Sequence, residues 1–311
     1  MIKNEKSEQQ LKTLLQNNFQ NYKIEYFSTI DSTNTYAKNL LEKNLNQNLI
    51  VVTDSQSAGR GRMGRSFYSP NASGLYFSLT IDLQNKNITP SQITAFSGVE
   101  VCNTIKEFFN IDSKIKWIND IFINNKKVCG ILAEGIIDYT TGKIAKVVLG
   151  IGINLYKSKE DFPQEIQNIA GTVLEKEISE QTKIEFAAKL IQNIICFFKN
   201  PTENQLQKKL EEYKKLSFLI GKQVQVFPII DDAKSSYTAT VLDIDNNANL
   251  VVQTEGKTKV LNSGEVSLKI QNSEFRIQDC RFWFSVFLHK SPPSLRGAKR
   301  RGNPVYTYQN V

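Results

Sequence analysis

At 311 residues, 40% of them hydrophobic and 23% charged, the chain can fill one large core and a small second domain, and wholesale disorder is excluded. The single histidine, His289, lies in a basic segment near the C-terminus; Ser-His-Asp triads, Cys-His pairs and multi-histidine metal sites are therefore excluded, and catalysis is left to Lys, Arg, carboxylates and backbone. The net charge is +8, but from Gln271 onward seven Lys/Arg face two acidic residues, so most of the excess reads as a solvated tail rather than a nucleic-acid footprint.

The opening MIKNEKSEQQ is too polar for a secretory signal, and the longest apolar stretch, around Val147 to Leu155, is too short to span a bilayer. The expectation is a cytoplasmic protein with no membrane association. Residues 1–22 read as an N-terminal helical extension, with Leu11, Leu14, Leu15 and Phe19 as its apolar stripe, too short for a winged helix-turn-helix domain. A strand near Lys23 to Phe27 and a helix from Asn34 to about Lys43 follow, with Asp31, Ser32 and Thr33 as candidate N-caps. The strand Leu49 to Thr53 then enters a loop rich in glycine and arginine.

Beyond that loop, Gly74 to Ile81 reads as a strand and Thr89-Pro90 as the start of a helix running to about Phe109. Lys114 to Trp117, Ile121 to Ile137 with a turn at Asn124-Asn125, and Lys143 to Leu155 read as strands of a mixed sheet. Ile184, Ala187, Ala188, Ile191, Ile194, Ile195 and Phe198 recur at helical spacing over Thr182 to Lys199, and a further helix spans Glu203 to Leu216. After Gly221 come short strands, Gln223 to Phe227, Tyr237 to Ile244, Asn249 to Gln253 and Lys257 to Leu261, parted by Asp/Asn/Gly turns as in a small barrel. Cys102, Cys129, Cys196 and Cys280 stand far apart and read as buried free thiols.

Three stretches carry chemistry. Ser55-Gln-Ser-Ala-Gly-Arg-Gly-Arg-Met-Gly-Arg65 sets Gly59, Gly61 and Gly64 among arginines directly after a strand, a composition suited to surrounding an anion with backbone N–H groups and guanidinium donors. Lys116-Trp-Ile-Asn-Asp120 precedes Lys127-Val-Cys-Gly-Ile-Leu-Ala-Glu134, which begins an apolar strand with a lysine that requires an anionic partner. Gly150-Ile-Gly-Ile-Asn154 places two glycines in a hydrophobic strand, which implies close approach of a backbone or a ligand.

Together with Asp31-Ser-Thr-Asn34, and in this order, these motifs resemble the biotin–protein ligase family over about residues 24 to 270. The resemblance implies an α/β (α+β) fold: a class II synthetase-like mixed sheet with helices as a catalytic domain over 23–218, and an SH3-like β-barrel over 219–270, into which the glycine of Gly264-Glu-Val-Ser-Leu268 fits. Residues 271–311 form a basic extension without a counterpart. It further implies a monofunctional enzyme without an N-terminal DNA-binding domain. Such an enzyme makes biotinyl-5'-AMP from biotin and ATP with Mg²⁺, then transfers biotin to a lysine of a biotin carboxyl carrier protein or of the equivalent domain of a biotin-dependent carboxylase. A homodimer is compatible with it, and no specific DNA binding is expected.

By the same resemblance, Ser32, Thr33, Asn34, Gln56, Gly59, Arg60, Gly61, Arg62 and Lys127 would hold biotin. Arg62, Arg65, Trp117, Asn119, Asp120, Lys127 and Asn154 would hold ATP, with Asp120 as the carboxylate for Mg²⁺ and with Arg62 and Lys127 catalytic. Trp117 has the alternative of a core aromatic, and Asp120 that of capping a turn. Two departures stand out: Ile118 occupies a position usually held by proline, which would loosen that loop, and Cys129 stands where a small apolar residue is common. The competing readings are a lipoate–protein ligase and a non-enzymatic nucleic-acid-binding protein.

Overall fold

The computed structural model describes residues 1–15, 19–71, 73–84, 86–157, 162–228, 236–262 and 266–270, all within one unit of residues 1–277. Its larger sheet contains β1 (Ile2–Lys3), β2 (Tyr22–Thr29), β3 (Asn48–Thr53), β4 (Gly74–Asp82), β5 (Lys114–Lys116), β6 (Asp120–Ile123), β7 (Lys126–Asp138) and β8 (Lys143–Asn154), in the order β1-β2-β3-β4-β8-β7-β6-β5. Strands β2 and β3 pair in parallel, joined by the crossover helix α2 (Thr33–Lys43), while the other neighbours pair antiparallel.

The period of two along each strand sorts side chains to opposite faces. Ile50 and Val52 of β3 join the larger hydrophobic cluster, whereas Leu49 and Val51 meet Phe27, Ala37, Leu41 and Val148 beneath α2. Central strands β4 and β8 are covered on both faces, which is why their sequences read as nearly continuous apolar runs. On the larger cluster lie α1 (Glu5–Leu15), α3 (Pro90–Phe109), α4 (Glu180–Lys199) and α5 (Glu203–Leu216). Helix α3 begins at a capping box: Thr89 and Gln92 satisfy each other's backbone N–H groups, and Pro90 fills the first turn.

A second, antiparallel sheet comprises β9 (Gln223–Pro228), β10 (Tyr237–Ile244), β11 (Leu250–Thr254), β12 (Lys257–Leu261) and β13 (Val266–Ile270), ordered β12-β11-β10-β9-β13. Strand β13 was not anticipated from the sequence. The turn between β10 and β11 reaches the larger sheet's layer. There the Asn246 carbonyl accepts from Gln92 Nε2 at 2.8 Å, and the Ala248 carbonyl accepts from the Trp117 indole N–H at 2.8 Å.

The helix expected in residues 1–22 is α1; a short β1 before it pairs with β2, and Leu11 and Leu15 of its apolar stripe are buried in the main core. One expectation changes. Cys102 and Cys129 are buried free thiols, but Cys196 is exposed, because it lies on the outer side of α4. Cys280, His289, Gly264 and the basic extension 271–311 lie outside the described residues.

Directly after β3, Asp54 anchors the start of the glycine–arginine loop. Its Oδ1 accepts from the Tyr26 hydroxyl at 2.8 Å and pairs with Lys183 Nζ at 2.7 Å, and its Oδ2 accepts from Asn4 Nδ2 at 3.3 Å. Burial alone would lower the Lys183 pKa, but Asp54 and Glu180 raise it above the ordinary lysine value. The Lys183 side chain is only 3% exposed, so removing its charge strands a carboxylate. We predict that Lys183→Met lowers the unfolding free energy by about 3–5 kcal/mol. Chemical denaturation tests this, and a loss below about 1 kcal/mol, the size expected of an exposed pair, would refute it.

Candidate active site

The glycine–arginine loop continues the parallel β2–β3 pair. Ile30 N donates to the Ser55 carbonyl, Ser57 N to the Ile30 carbonyl and Ala58 N to the Asp31 carbonyl, at 2.9–3.3 Å. The chain then doubles back. Gly61 N donates to the Arg65 carbonyl at 2.7 Å, Phe67 N to the buried Gly59 carbonyl at 2.8 Å, and Gln56 N to the Ser69 carbonyl at 3.2 Å. Arg62 to Gly64 form a tight 3₁₀ turn at the tip, where Arg65 is exposed.

At one flank of this loop the first turn of α2 supplies a polar cluster. Ser32 caps the helix by accepting from Thr35 N at 3.4 Å. Gln56 Oε1 accepts from Thr33 N and Thr33 Oγ1 at 3.0 and 3.2 Å, while its Nε2 donates to Ser69 Oγ at 2.9 Å. Ser78 Oγ of β4 lies 2.6 Å from Asn34 Oδ1 and 2.7 Å from Thr33 Oγ1. Asn34 Nδ2 donates to Glu134 Oε2 at 2.9 Å. The other Glu134 oxygen pairs with Lys38 Nζ at 2.9 Å and Arg60 Nη2 at 3.3 Å. Burial alone would raise the Glu134 carboxyl, but hydrogen bonds from Asn34 and Lys38 and the charges of Lys38 and Arg60 hold it below the usual carboxylate range.

Across the loop, Arg62 Nη1 donates to Asn119 Oδ1 at 3.0 Å, and Asn119 Nδ2 donates to the Ile131 carbonyl at 3.2 Å. Burial depresses the Arg62 pKa, with Asp120 acting in the opposite direction. Lys127 Nζ and Asp120 Oδ1 form an ion pair at 2.7 Å. The anion demanded by a lysine at the head of an apolar strand is thus supplied from within, by the neighbouring β6. The backbone of Lys127 exchanges bonds of 2.7 and 2.9 Å with residues 169 and 171, and Asn154 Nδ2 holds the Gly171 carbonyl at 3.0 Å.

Between these flanks lies a floor of glycines. A Cβ on Gly150 would fall 2.0 Å from Asn34 Oδ1, and one on Gly152 would fall 2.5 Å from the Phe67 ring. The close approach at this strand is made by two side chains, Asn34 at Gly150 and Phe67 at Gly152. On β7, a Cβ on Gly130 would meet the same Phe67 ring at 3.0 Å and Lys127 Cε at 3.5 Å, so lysine and aromatic converge over one glycine.

The structure thus brings together Ser32, Thr33, Asn34, Gln56 and Arg60 on one side and Arg62, Asn119, Asp120 and Lys127 on the other. Among the described residues, Asn154 is linked to them through Gly171, which bonds the Lys127 carbonyl. Trp117 belongs to the main core at 5% exposure with its indole N–H committed to Ala248, which matches its reading as a core aromatic. Ile118 is 1% exposed, and its carbonyl accepts from the Tyr213 hydroxyl at 3.3 Å, so the position is held without proline's fixed φ. Sequence reading assigned no role to Lys38, Phe67, Ser69, Ser78 or Glu134. Of these only Glu134, a carboxylate in an apolar strand, carried a signal.

No group of three or more His, Cys, Asp and Glu that could hold a metal ion occurs among the described residues. Among the described residues of the two flanks the carboxylates are Asp120 and Glu134, both ion-paired, and Mg²⁺ would fit beside Asp120 only as an ion coordinated chiefly by phosphates and water.

Residues 26–154 match the biotin/lipoate A/B protein ligase family. The chain is 31% identical over 248 residues to the bifunctional ligase/repressor BirA of Bacillus subtilis, spanning 78% of this chain and 73% of that protein. It is also 23% identical over 226 residues to the biotin–[acetyl-CoA-carboxylase] ligase of Mycobacterium tuberculosis, spanning 70% of this chain and 78% of that protein. Among solved structures, it is similar to the biotin protein ligase of Aquifex aeolicus in complex with biotin and ATP, with a TM-score of 0.63 at 25% identity, covering 79% of this chain and 98% of that one.

The glycine floor yields a direct test. Gly152→Ala forces the Phe67 ring off its seat, and we predict a loss of about 1–3 kcal/mol of stability. In the double variant with Phe67→Leu, which removes the obstructing ring edge, the added cost of the alanine should largely vanish. Equal costs of Gly152→Ala in the two backgrounds, measured by denaturant titration, would disprove the contact's role.

Proposed function

The chain belongs to the biotin protein ligase family, and from that premise we propose that the two polar flanks of the glycine–arginine loop are the biotin and nucleotide sites of an ATP-dependent biotin–protein ligase. The enzyme activates biotin with ATP and passes it to a biotin-carrier substrate. We propose that this acceptor is a lysine of a biotin carboxyl carrier protein or of the equivalent domain of a biotin-dependent carboxylase. A carboxylate oxygen of biotin attacks the α-phosphorus and pyrophosphate leaves; the acceptor amine then attacks the acyl carbon and AMP leaves.

The observation that carries the residue assignment is Lys127, whose stem lies over the glycine floor beside Phe67 while its ammonium pairs with Asp120 at 2.7 Å. An ammonium on a flexible stem can exchange one carboxylate partner for the carboxylate and α-phosphate that meet during transfer. Thr33, Asn34 and Gln56 would present polar groups to the ureido ring, with Ser32 fixing the helix end that carries them. The backbone from Gly59 to Gly61 and the Arg60 side chain would close over biotin. Arg62, half-buried and pulled by Asp120, would gain an anionic partner in the phosphates, and Arg65, Asn119 and Asn154 would line the nucleotide side. Trp117 would act from the core, as a wall for the nucleotide loop. Mg²⁺ carried in with ATP would be held by Asp120 and would offset charge at phosphorus.

Sequence-specific DNA binding is not part of this proposal. The helix preceding β2 has glutamates in its first turn and buries Leu11 and Leu15, so its apolar face is already used. No described helix is long and apolar enough to cross a membrane.

Incubating the protein with ATP, Mg²⁺ and either biotin or lipoate, followed by mass spectrometry, tests the activity; a lipoyl-adenylate without a biotinyl one would reverse the assignment. We predict that Lys127→Ala slows adenylate formation on the order of a hundredfold or more while the fold survives. Wild-type rates of pyrophosphate exchange in this variant would remove Lys127 from the mechanism. Arg62→Gly loses the bond to Asn119 and adds backbone freedom at the tip. It should release biotinyl-adenylate faster and label bystander lysines, and unchanged release and labelling would leave Arg62 without the retention role.

A further inference from the structure

We propose that Glu134 is a positioning residue that latches the glycine–arginine loop to the floor of the biotin site. The inference rests on the functional reading above and adds to it a residue that touches neither reacting atom. Glu134 lies on β7 opposite Val148 of the buried central strand β8, so its carboxylate is presented from a paired position of the sheet. Its two oxygens divide the work: Oε2 accepts from the amide of Asn34, and Oε1 pairs with Lys38 of α2 and Arg60 of the loop.

The geometry leaves Asn34 little freedom. A carboxylate only accepts, so the Asn34 amide nitrogen must face Glu134 and its oxygen must face Ser78, while the oxygen sits in the space that Gly150 leaves open. The same carboxylate reaches Arg60, whose side chain is 44% exposed and belongs to the segment that folds over the floor. On the other flank the loop is held by Arg62 and Asn119. The tip is therefore tied on both sides, and the Arg60 tie is the one joined to the biotin pocket. Opening the loop breaks an ion pair on a carboxylate that also orients Asn34, so closure and pocket geometry are coupled. Since Arg60 is partly solvated, salt should weaken the tie.

The test follows retention of biotinyl-adenylate by the full-length protein, as its dissociation rate at low and high sodium chloride. Glu134→Gln keeps an acceptor for Asn34 but loses the charge, and should speed release about tenfold and remove most of its salt dependence. Arg60→Gln should also speed release, and the double variant should be no faster than Glu134→Gln, which already removes the Arg60 pair along with that to Lys38. Glu134→Ala also withdraws the acceptor from Asn34 and should raise KM for biotin more than it lowers kcat. If Glu134→Gln does not fold, Arg60→Gln, on the exposed loop, carries the same comparison. Additive effects in the double variant, or release at the wild-type rate with unchanged salt dependence, would overturn the latch. Failure of the wild-type protein to form biotinyl-adenylate would instead overturn the functional reading.

Discussion

Everything in the candidate active site rests on steric room along β8. Asn34 and Phe67 occupy positions that the first side-chain carbons of Gly150 and Gly152 would otherwise fill, and this places the start of α2 and the return leg of the loop directly on the sheet. Strand β8 remains rigid because it is paired along its length with β4 and β7 and buried on both faces. A floor built this way carries no side chain of its own at these two positions. It lets Asn34 and Gln56 reach hydrogen-bond partners on the sheet, the helix and the loop, Glu134, Ser78, Thr33 and Ser69.

Charge is the second constraint. Cationic side chains clustered to meet anionic substrates would repel one another, and the structure answers with acids placed among them: Asp120 beside Lys127, and Glu134 between Lys38 and Arg60. These carboxylates stabilise the cluster before substrate arrives. A substrate anion must therefore compete with a resident one, which favours ligands carrying several charged oxygens in the right places over any single small anion.

What the sequence could show is what local pattern determines. Thr89-Pro90 with Gln92 marks a helix start through capping and a proline ring, and the structure begins α3 there. The loop after β3 and the paired glycines of β8 were legible as places of close approach, but not what approaches: Phe67, on the return leg of that loop, seats on a strand some eighty residues on, and Asn34 meets Glu134 across a hundred residues of chain. Trp117 illustrates the same limit. A tryptophan between Lys116 and Asn119 looks equally suited to ligand and to core, and only the carbonyl of Ala248, supplied by the second sheet, shows where its indole points. The two-residue β1 left no periodicity to read, and its place depends on the partner edge of β2.

The buried pair of Asp54 and Lys183 has a consequence for biosynthesis. The two residues are 129 positions apart, so when a nascent chain has exposed the strands and the whole glycine–arginine loop, the cation that tethers the loop's stem is still unmade or inside the ribosome. Among the described residues, Tyr26 and Asn4 are the side chains that hold Asp54 until α4 emerges. A half-made chain therefore carries an arginine-rich loop without its main anchor, and the loop reaches its working geometry only late in translation, after the helix that locks it has docked.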